Sequence, residues 1–223
     1  MTKQLIVDMS RHLDSLRYEG KKHDAPSPVG MIEEAPRVGR ALKIPDGGIW
    51  FYRSRAARTA AGIALIAYHA GINDLRVQTV DALNSMKRCS EDEAEIKRIT
   101  KGIEERVEYE NRVVAYCANP TNLHPRTELP TQVGARYQGH VHNLARHFED
   151  IQNGQTARVF NMGHEPCLTM LVMQVTGKKY NAREFGGAAR TAEAIRFTME
   201  DTGSGIVQVK MQYRSIKASY TIR

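Results

Sequence analysis

The sequence predicts a mainly α fold: a helical bundle with a short C-terminal β-hairpin and an extended N-terminal arm. Three observations support this fold class. Apolar residues recur at steps of three and four over residues 90–117 and again over 133–151, while apolar and polar residues alternate over 207–214. Steps of three and four are typical of a helix with one apolar face, and alternation is typical of a strand.

The N-terminal part predicts a helix followed by an arm. Apolar side chains spaced for one face predict a helix over residues 2–18, with Gly20 as its C-terminal stop. The next stretch, residues 21–48, holds four prolines and four glycines. A loop this long inside a compact domain indicates a role in function or assembly. We therefore expect an N-terminal helix and arm over residues 1–48 and a helical core domain with the hairpin over 49–223.

An edge strand and two helices are expected next. The short aromatic run Ile49-Trp50-Phe51-Tyr52 favours an edge strand. Ser54 can cap an alanine-rich helix that runs to residue 69, and Asn73 can cap another that continues beyond residue 80.

The longest predicted helix covers residues 90–117. Ser90 and Glu93 form a capping box at its start, and acidic residues fill the first turn. Asn119-Pro120 ends it. At 1.5 Å per residue such a helix spans roughly 40 Å, so helices are expected to pack against its apolar stripe.

The C-terminal third predicts two more helices and the hairpin. Pro166 suits the first position of a helix that ends at Gly177, and this segment is apolar nearly all round. Asn181 can start another helix that continues to Met199 past Gly186-Gly187. Residues 207–214 and 219–222 then form the two strands of the hairpin.

The charge distribution indicates a polyanionic partner. The net charge is +7, and the basic excess lies outside the predicted long helix. Arginine forks suit phosphate, and the neighbouring aromatic residues can stack on bases. The residues predicted to bind nucleic acid, most simply single-stranded RNA, are Arg37, Arg40, Lys43, Arg53, Arg55, Arg58, Lys210 and Arg214. A solvated basic surface beside a buried aromatic strand explains the same pattern.

One segment resembles the helix-turn-helix family of DNA-binding motifs. The resemblance is carried by Ala67, Gly71, Ile72, Val77 and Val80. It implies a second helix that presents Asn73, Asp74, Arg76, Gln78 and Thr79 to the major groove. An ordinary buried helix pair joined by a glycine turn has the same spacing.

The histidines and cysteines match no metal-site pattern. His140, His142, His147, His164 and Cys167 lack the paired spacing of a zinc centre, so no metal and no cofactor is expected. Cys167 near a helix start, with His164 as its base, would be the nucleophile of a small cytosolic enzyme. A lone cysteine entering an apolar helix is more often part of the core. The sequence contains no glycine-rich phosphate loop, HExxH, GxSxG or paired CxxC.

These observations favour a structural protein over an enzyme. The leading interpretation is a viral coat or nucleocapsid-like protein that self-assembles as a homo-oligomer or helical filament and coats RNA. The alternative is a helix-turn-helix transcription regulator, and the Cys167 enzyme comes third. An odd number of cysteines and the lack of a membrane-spanning apolar stretch indicate a soluble protein in a reducing place, the virion or the host cytoplasm.

Overall fold

A seven-stranded sheet with helices on both faces organises the chain. The computed structural model describes residues 2–18 and 21–223. The strands lie in the order β5-β4-β6-β1-β7-β8-β9, and β2 and β3 form a separate hairpin. Their bounds are β1 Lys3–Arg11, β2 Ser15–Tyr18, β3 Lys21–Pro26, β4 Ile49–Arg53, β5 Val77–Thr79, β6 Thr156–Gly163, β7 Ala194–Asp201, β8 Val207–Tyr213 and β9 Ile216–Ile222.

The helices cover both faces of this sheet. They are α1 Ala35–Ala41, α2 Ala57–His69, α3 Ser90–Ile99, α4 Arg106–Ala118, α5 Pro130–Asn143, α6 Cys167–Thr176 and α7 Ala182–Phe185. Side chains from α1 and α2 pack with Phe51, Phe160 and Met162 on one face. The larger core on the other face joins α4, α5 and α6 to Leu5 and Val7 of β1.

Strand direction divides the sheet into two parts. One part consists of β5, β4, β6 and β1, which are all parallel to one another. In the other part, β7 pairs antiparallel with β1, β8 with β7 and β9 with β8. Parallel strands buried on both faces read as continuous apolar runs without alternation. This explains why β1 and β6 carry no strand pattern in the sequence.

The predicted mainly α bundle with an extended N-terminal arm is therefore wrong. The segment predicted as the first helix contains β1, which lies in the middle of the sheet between β6 and β7. Gly20, its predicted stop, lies outside the described residues. The predicted arm contains β3, a π-helical turn over Gly30–Glu34, and α1. The division at residue 48 stays a prediction about domains, although strands from both sides of it share one sheet.

Two other helix predictions fail at glycines. The predicted helix over residues 90–117 is two helices, α3 and α4, because the chain turns at Gly102 with a φ of 79°. The predicted helix from Asn181 is only the one-turn α7, which stops at the left-handed Gly186. The rest of that predicted helix includes β7.

The helix-turn-helix prediction is wrong as well. Where its second helix should lie, Val77–Thr79 forms β5, which pairs in parallel with β4. Gln78 and Thr79 are therefore strand residues at the edge of the sheet.

Several predictions are confirmed. The C-terminal hairpin is β8 and β9. Helix α6 ends at Gly177, which has the left-handed conformation. The alanine-rich helix is α2 and ends at His69 as expected, but its N-cap is Ala56 and not Ser54. In the described part of the chain, no helix has the length and apolar content needed to cross a membrane.

Candidate functional site

The carboxyl ends of three adjacent parallel strands, β4, β6 and β1, lie side by side at one end of the sheet. Arg11, the last residue of β1, pairs with Gly163 of β6, and Arg53 of β4 pairs with Met162 of β6. The residues that follow these strands are His12, His164 and Ser54. Open sheets with parallel strands bind ligands at the carboxyl ends of the strands.

Backbone hydrogen bonds continue past the strands and hold these residues side by side. The N–H of His12 donates to the carbonyl of Gly163 at 3.1 Å, and the N–H of Ser54 donates to the carbonyl of Met162 at 3.2 Å. The two imidazole rings are tilted, with centroids 5.4 Å apart. Both histidines are only 2% exposed, so their tautomers are determined by protein partners.

His12 carries its proton on Nδ1. That nitrogen lies 2.6 Å from the backbone carbonyl oxygen of Leu13, which can only accept a hydrogen bond. In a neutral imidazole, the lone pair is then on Nε2. The Leu13 carbonyl thus orients the ring and makes Nε2 its basic nitrogen.

His164 has the opposite tautomer. Arg58 Nη2 lies 3.1 Å from His164 Nδ1, and since a guanidinium only donates, Nδ1 accepts. The proton is then on Nε2, which donates to Ser54 Oγ at 2.7 Å. Thr59 Oγ1 donates to the Ala56 carbonyl at 2.6 Å and lies 3.2 Å from Ser54 Oγ, so it accepts the hydroxyl proton of Ser54. A buried relay therefore orients His164.

Two arginines give the site its positive charge. Arg11 is 3% exposed and Arg58 stands in the first turn of α2. The Nε atoms of both are buried and have no hydrogen-bond partner among the described residues. Burial lowers the pKa of Arg58, and the nearby charge of Arg11 lowers it further, whereas the Asp24 carboxylate raises it. A buried and a partly buried cation, each with a spare Nε donor, form a site for an anion.

Glu110 holds the Nη end of Arg11. Its carboxylate accepts both Arg11 Nη1 and Nη2 at 2.5 Å each. Arg106 Nε bonds the same carboxylate at 3.0 Å and also forms an ion pair with Asp14. Burial alone would raise the pKa of Glu110, but Arg11 and Arg106 lower it, so Glu110 is ionised and the Arg11 guanidinium is fixed in place.

Asp24 lies at the start of α2. Its carboxylate accepts the N–H groups of Ala57 and Arg58 at 2.6 and 3.2 Å, and Arg58 Nη1 at 2.9 Å. Helix α2 has no side-chain cap of its own at Ala56. The β2–β3 hairpin thus supplies the helix cap and also places a carboxylate against Arg58.

Of the residues predicted to bind nucleic acid, the structure brings only Arg58 into this site. Arg37 and Arg40 are exposed on α1 and Lys43 follows it. Arg53 donates to the carbonyl of Ser54. The nucleic-acid role of these residues stays a prediction.

The other three predicted contacts are tied to acidic partners. Arg55 pairs with Asp81 on the surface. Lys210 pairs with Glu200, and Arg214 with Glu193.

Cys167 does not fit the predicted nucleophile. The thiol is buried at the start of α6, and burial raises its pKa to about 12. A thiol in that state is not ionised at neutral pH.

The other predicted histidines have structural contacts. His140 bonds Asn161, His142 bonds Tyr220, and His147 bonds Tyr52. Within residues 2–18 and 21–223 no group of three or more His, Cys, Asp or Glu side chains is arranged to hold a metal ion.

Arg11 and His12 were not predicted as site residues. A signal for them existed: two mainly apolar runs, residues 5–9 and 159–162, each interrupted by one polar residue, are followed within three residues by a histidine. Interpreted as parallel strands, these runs would have placed His12 and His164 at one edge of one sheet. The helical interpretation of residues 2–18 removed that possibility.

The fold resembles that of several solved enzymes. Mycobacterial hydrolase 1 matches with a TM-score of 0.61 at 12% identity, covering 98% of this chain and 100% of that one. The fold is shared with phosphatases and a mutase. A mycobacterial glucosyl-3-phosphoglycerate phosphatase matches at 0.61 with 14% identity, covering 89% and 91%. A phosphoglycerate mutase from Bacillus anthracis str. Sterne matches at 0.57 with 13% identity, covering 88% of each chain.

No protein-family model and no curated protein matches the chain. At these identities the structural likeness establishes the fold. It overturns the interpretation as a viral, RNA-coating capsid or nucleocapsid protein, and with it the prediction that the chain is not an enzyme. The predicted partners, self-association and location stay predictions.

Proposed function

We propose that this protein hydrolyses phosphate monoesters through a phosphoryl group carried on His12. The observation that carries the proposal is the pairing of His12 and His164 with two arginines nearby. Arg11 precedes His12 in the chain, Arg58 contacts His164, and the Nε donors of both are buried and, in the described chain, unpartnered. The fold likeness to phosphatases supports the same chemistry, and one of them has been solved with inorganic phosphate.

The site suits a tetrahedral dianion. Arg11 and Arg58 supply positive charge and directed donors, which stabilise phosphoryl oxygens in both the bound and the transition state. Arg11 is 3% exposed, so its interaction with an anion is screened less than it would be at the surface. Phosphoryl transfer needs mostly positioning and charge stabilisation, and this site supplies both.

His12 is the nucleophile in this scheme. Its Nε2 lone pair attacks phosphorus, the bond from phosphorus to the ester oxygen breaks, and the leaving oxygen takes a proton from solvent. The imidazole becomes positively charged, and the Leu13 carbonyl, which accepts from Nδ1, stabilises that charge. Water then attacks phosphorus, the bond to Nε2 breaks, phosphate leaves and the water's surplus proton goes to solvent.

His164 is assigned a different role by its tautomer. Its Nδ1 lone pair accepts a hydrogen bond from Arg58, so that nitrogen is not available for attack. Its Nε2–H donates a hydrogen bond to Ser54 Oγ. It therefore orients Arg58 at the phosphoryl group.

Hydrolysis of p-nitrophenyl phosphate by the purified chain tests the proposal. Wild type should release nitrophenol, and His12→Ala should lose this activity by at least about 10³-fold, the order expected when a nucleophile is removed. His69→Ala, at the last turn of α2, is the control and should remain active. Equal rates for wild type and His12→Ala would overturn the assignment.

A further inference from the structure

One peptide group, the bond between Leu13 and Asp14, is hydrogen bonded at both of its ends. Its carbonyl oxygen, on Leu13, accepts a hydrogen bond from His12 Nδ1, which lies 2.6 Å away. Its N–H, on Asp14, donates to Oε2 of Glu34 at 2.6 Å. A peptide group is planar, so fixing the N–H also fixes the direction of the carbonyl. The ring of His12 is therefore linked to Glu34 through two hydrogen bonds and one rigid group.

Glu34 reaches this peptide group from the π-helical turn Gly30–Glu34, which leads directly into α1. Single π-helical turns within helices are rare and are frequent at functional sites. Gly30 permits a close approach, because a Cβ atom at this position would lie 2.7 Å from the Asp14 carbonyl oxygen and 3.2 Å from Leu13 Cβ. The turn thus packs directly against the loop that follows His12.

Both oxygens of the Glu34 carboxylate have partners. While Oε2 accepts from Asp14, Oε1 accepts the hydroxyl of Thr191, which lies in the loop before β7. Burial raises the pKa of Glu34, although the Thr191 hydroxyl and the charges of Arg37 and Arg11 oppose the rise. A side chain bonded through both oxygens has little freedom to rotate, so it holds the Asp14 N–H in one direction.

Ser27 holds the rest of Asp14. Its N–H donates to the Asp14 carbonyl at 2.7 Å, and its Oγ donates to Asp14 Oδ2 at 2.5 Å. Neither contact is made to the peptide group between Leu13 and Asp14. The orientation of that group is thus assigned to Glu34.

We propose that Glu34 is a positioning residue for His12: its carboxylate fixes the Leu13–Asp14 peptide group, whose carbonyl keeps the proton of His12 on Nδ1 and the lone pair on Nε2. This inference rests on the proposed function, in which Nε2 attacks phosphorus. The imidazole becomes positively charged when it carries the phosphoryl group. A carbonyl that is polarised by a carboxylate on the same peptide group stabilises that charge more strongly.

The tautomer of His12 is the first readout, and it needs no turnover. ¹⁵N NMR of protein labelled at histidine distinguishes protonated from unprotonated ring nitrogens, and His12→Ala identifies the resonances of His12 by their loss. Wild type should show His12 protonated at Nδ1. In Glu34→Ala the Nδ1 and Nε2 resonances should move towards each other, because the freed peptide group no longer selects one tautomer.

Hydrolysis of p-nitrophenyl phosphate is the second readout. Glu34→Ala should lower kcat roughly tenfold or more, since a misplaced catalytic group can lose up to about 10²-fold. Inhibition by inorganic phosphate should stay within about twofold of wild type, because the arginines and not Glu34 bind the anion. General damage to the site would weaken phosphate inhibition as well, so this difference between kcat and inhibition separates positioning from misfolding.

Glu33→Ala is the matched control. Glu33 is exposed on the same π-helical turn, and its removal should leave the His12 spectrum and kcat unchanged. Glu34→Gln keeps an oxygen for the Asp14 N–H and an amide group for Thr191, but it has no charge. It should retain the Nδ1 tautomer and lower kcat about fivefold, because a hydrogen bond to a charged acceptor is stronger than one to a neutral acceptor.

The inference and the proposed function fail through different results. A wild type that does not hydrolyse phosphate monoesters overturns the proposed function, whatever the spectra show. With an active wild type, a folded Glu34→Ala that has an unchanged His12 spectrum or an unchanged kcat overturns the role of Glu34. If Glu34→Ala does not fold, Glu34→Gln decides, and a wild-type kcat in that variant overturns the role.

Discussion

Ser54 Oγ accepts the Nε2 proton of His164 at a distance of 2.7 Å, in a place where Ser54 itself is completely buried. This contact, with Arg58 on the other ring nitrogen, determines the tautomer of His164. The division of labour between the two histidines depends on it.

Ser54→Ala should therefore impair both activity and stability. The substitution removes the hydrogen-bond acceptor of the buried Nε2 proton, which costs about 1–3 kcal/mol. We expect hydrolysis to fall about tenfold as His164 loses its orientation. Rates at 25 °C and thermal unfolding measure both effects, with the exposed Ser215→Ala as control. Wild-type values for both quantities in Ser54→Ala would contradict the relay.

Arg55 and Arg58 look equivalent in the sequence, but only Arg58 is expected to matter for activity. Arg58 contacts His164, whereas Arg55 forms an exposed pair with Asp81. Arg58→Ala should lower kcat/KM by about 10²-fold, as expected for losing one transition-state donor. Arg55→Ala should change it little, because exposed ion pairs contribute under about 1 kcal/mol. Steady-state kinetics of the two variants provide the comparison, and similar losses in both would count against the site.

Removal of the Asp24 charge should have opposite effects on stability and on anion binding. Asp24→Asn removes a negative charge at the N-terminus of α2, for which a loss of about 0.3–1 kcal/mol is expected. It also frees Arg58 from a competing carboxylate, so inhibition by inorganic phosphate should become several-fold stronger. Thermal melts and product-inhibition constants check the two parts. Weaker phosphate inhibition in Asp24→Asn would show that Asp24 helps to bind the anion.

Glu110 should make the fold sensitive to acid. Its folded-state pKa lies below the unfolded value of about 4.3. The ionised carboxylate thus stabilises the fold above that value, and the contribution is lost as pH falls through the folded pKa. Glu110→Ala leaves Arg11 buried without its partner and should cost about 3–5 kcal/mol at pH 7.

The control for Glu110 lies two residues away on the same helix. Glu108→Ala removes an exposed pair with Arg112 on the same helix and should cost under about 0.5 kcal/mol. Urea unfolding at pH 7 and pH 3 measures these differences. A Glu110→Ala variant as stable as Glu108→Ala at pH 7 would contradict the buried pair.

What the sequence could predict was mostly local. Gly177 ends α6 and the alternating residues of β8 form a strand, since both signals reside in neighbouring residues. The run that forms β1 has no such signal, because both of its faces are buried and only its pairing with β6 makes it a strand.

The candidate site was missed for the same reason. His12, Ser54 and His164 are separated by scores of residues and meet only through the parallel register of three strands. Arg58 was singled out by its charge, but charge alone could not distinguish it from the exposed Arg55.

The most direct test is to identify the residue that carries the phosphoryl group during turnover. Wild-type protein is mixed with a radiolabelled phosphate monoester, quenched rapidly in base, digested and mapped by mass spectrometry. We expect an acid-labile, base-stable label on His12, because its contact with the Leu13 carbonyl leaves the lone pair on Nε2, whereas the Nδ1 lone pair of His164 accepts from Arg58 and its Nε2 carries the proton. A label on His164, or turnover with no labelled histidine, would contradict the account.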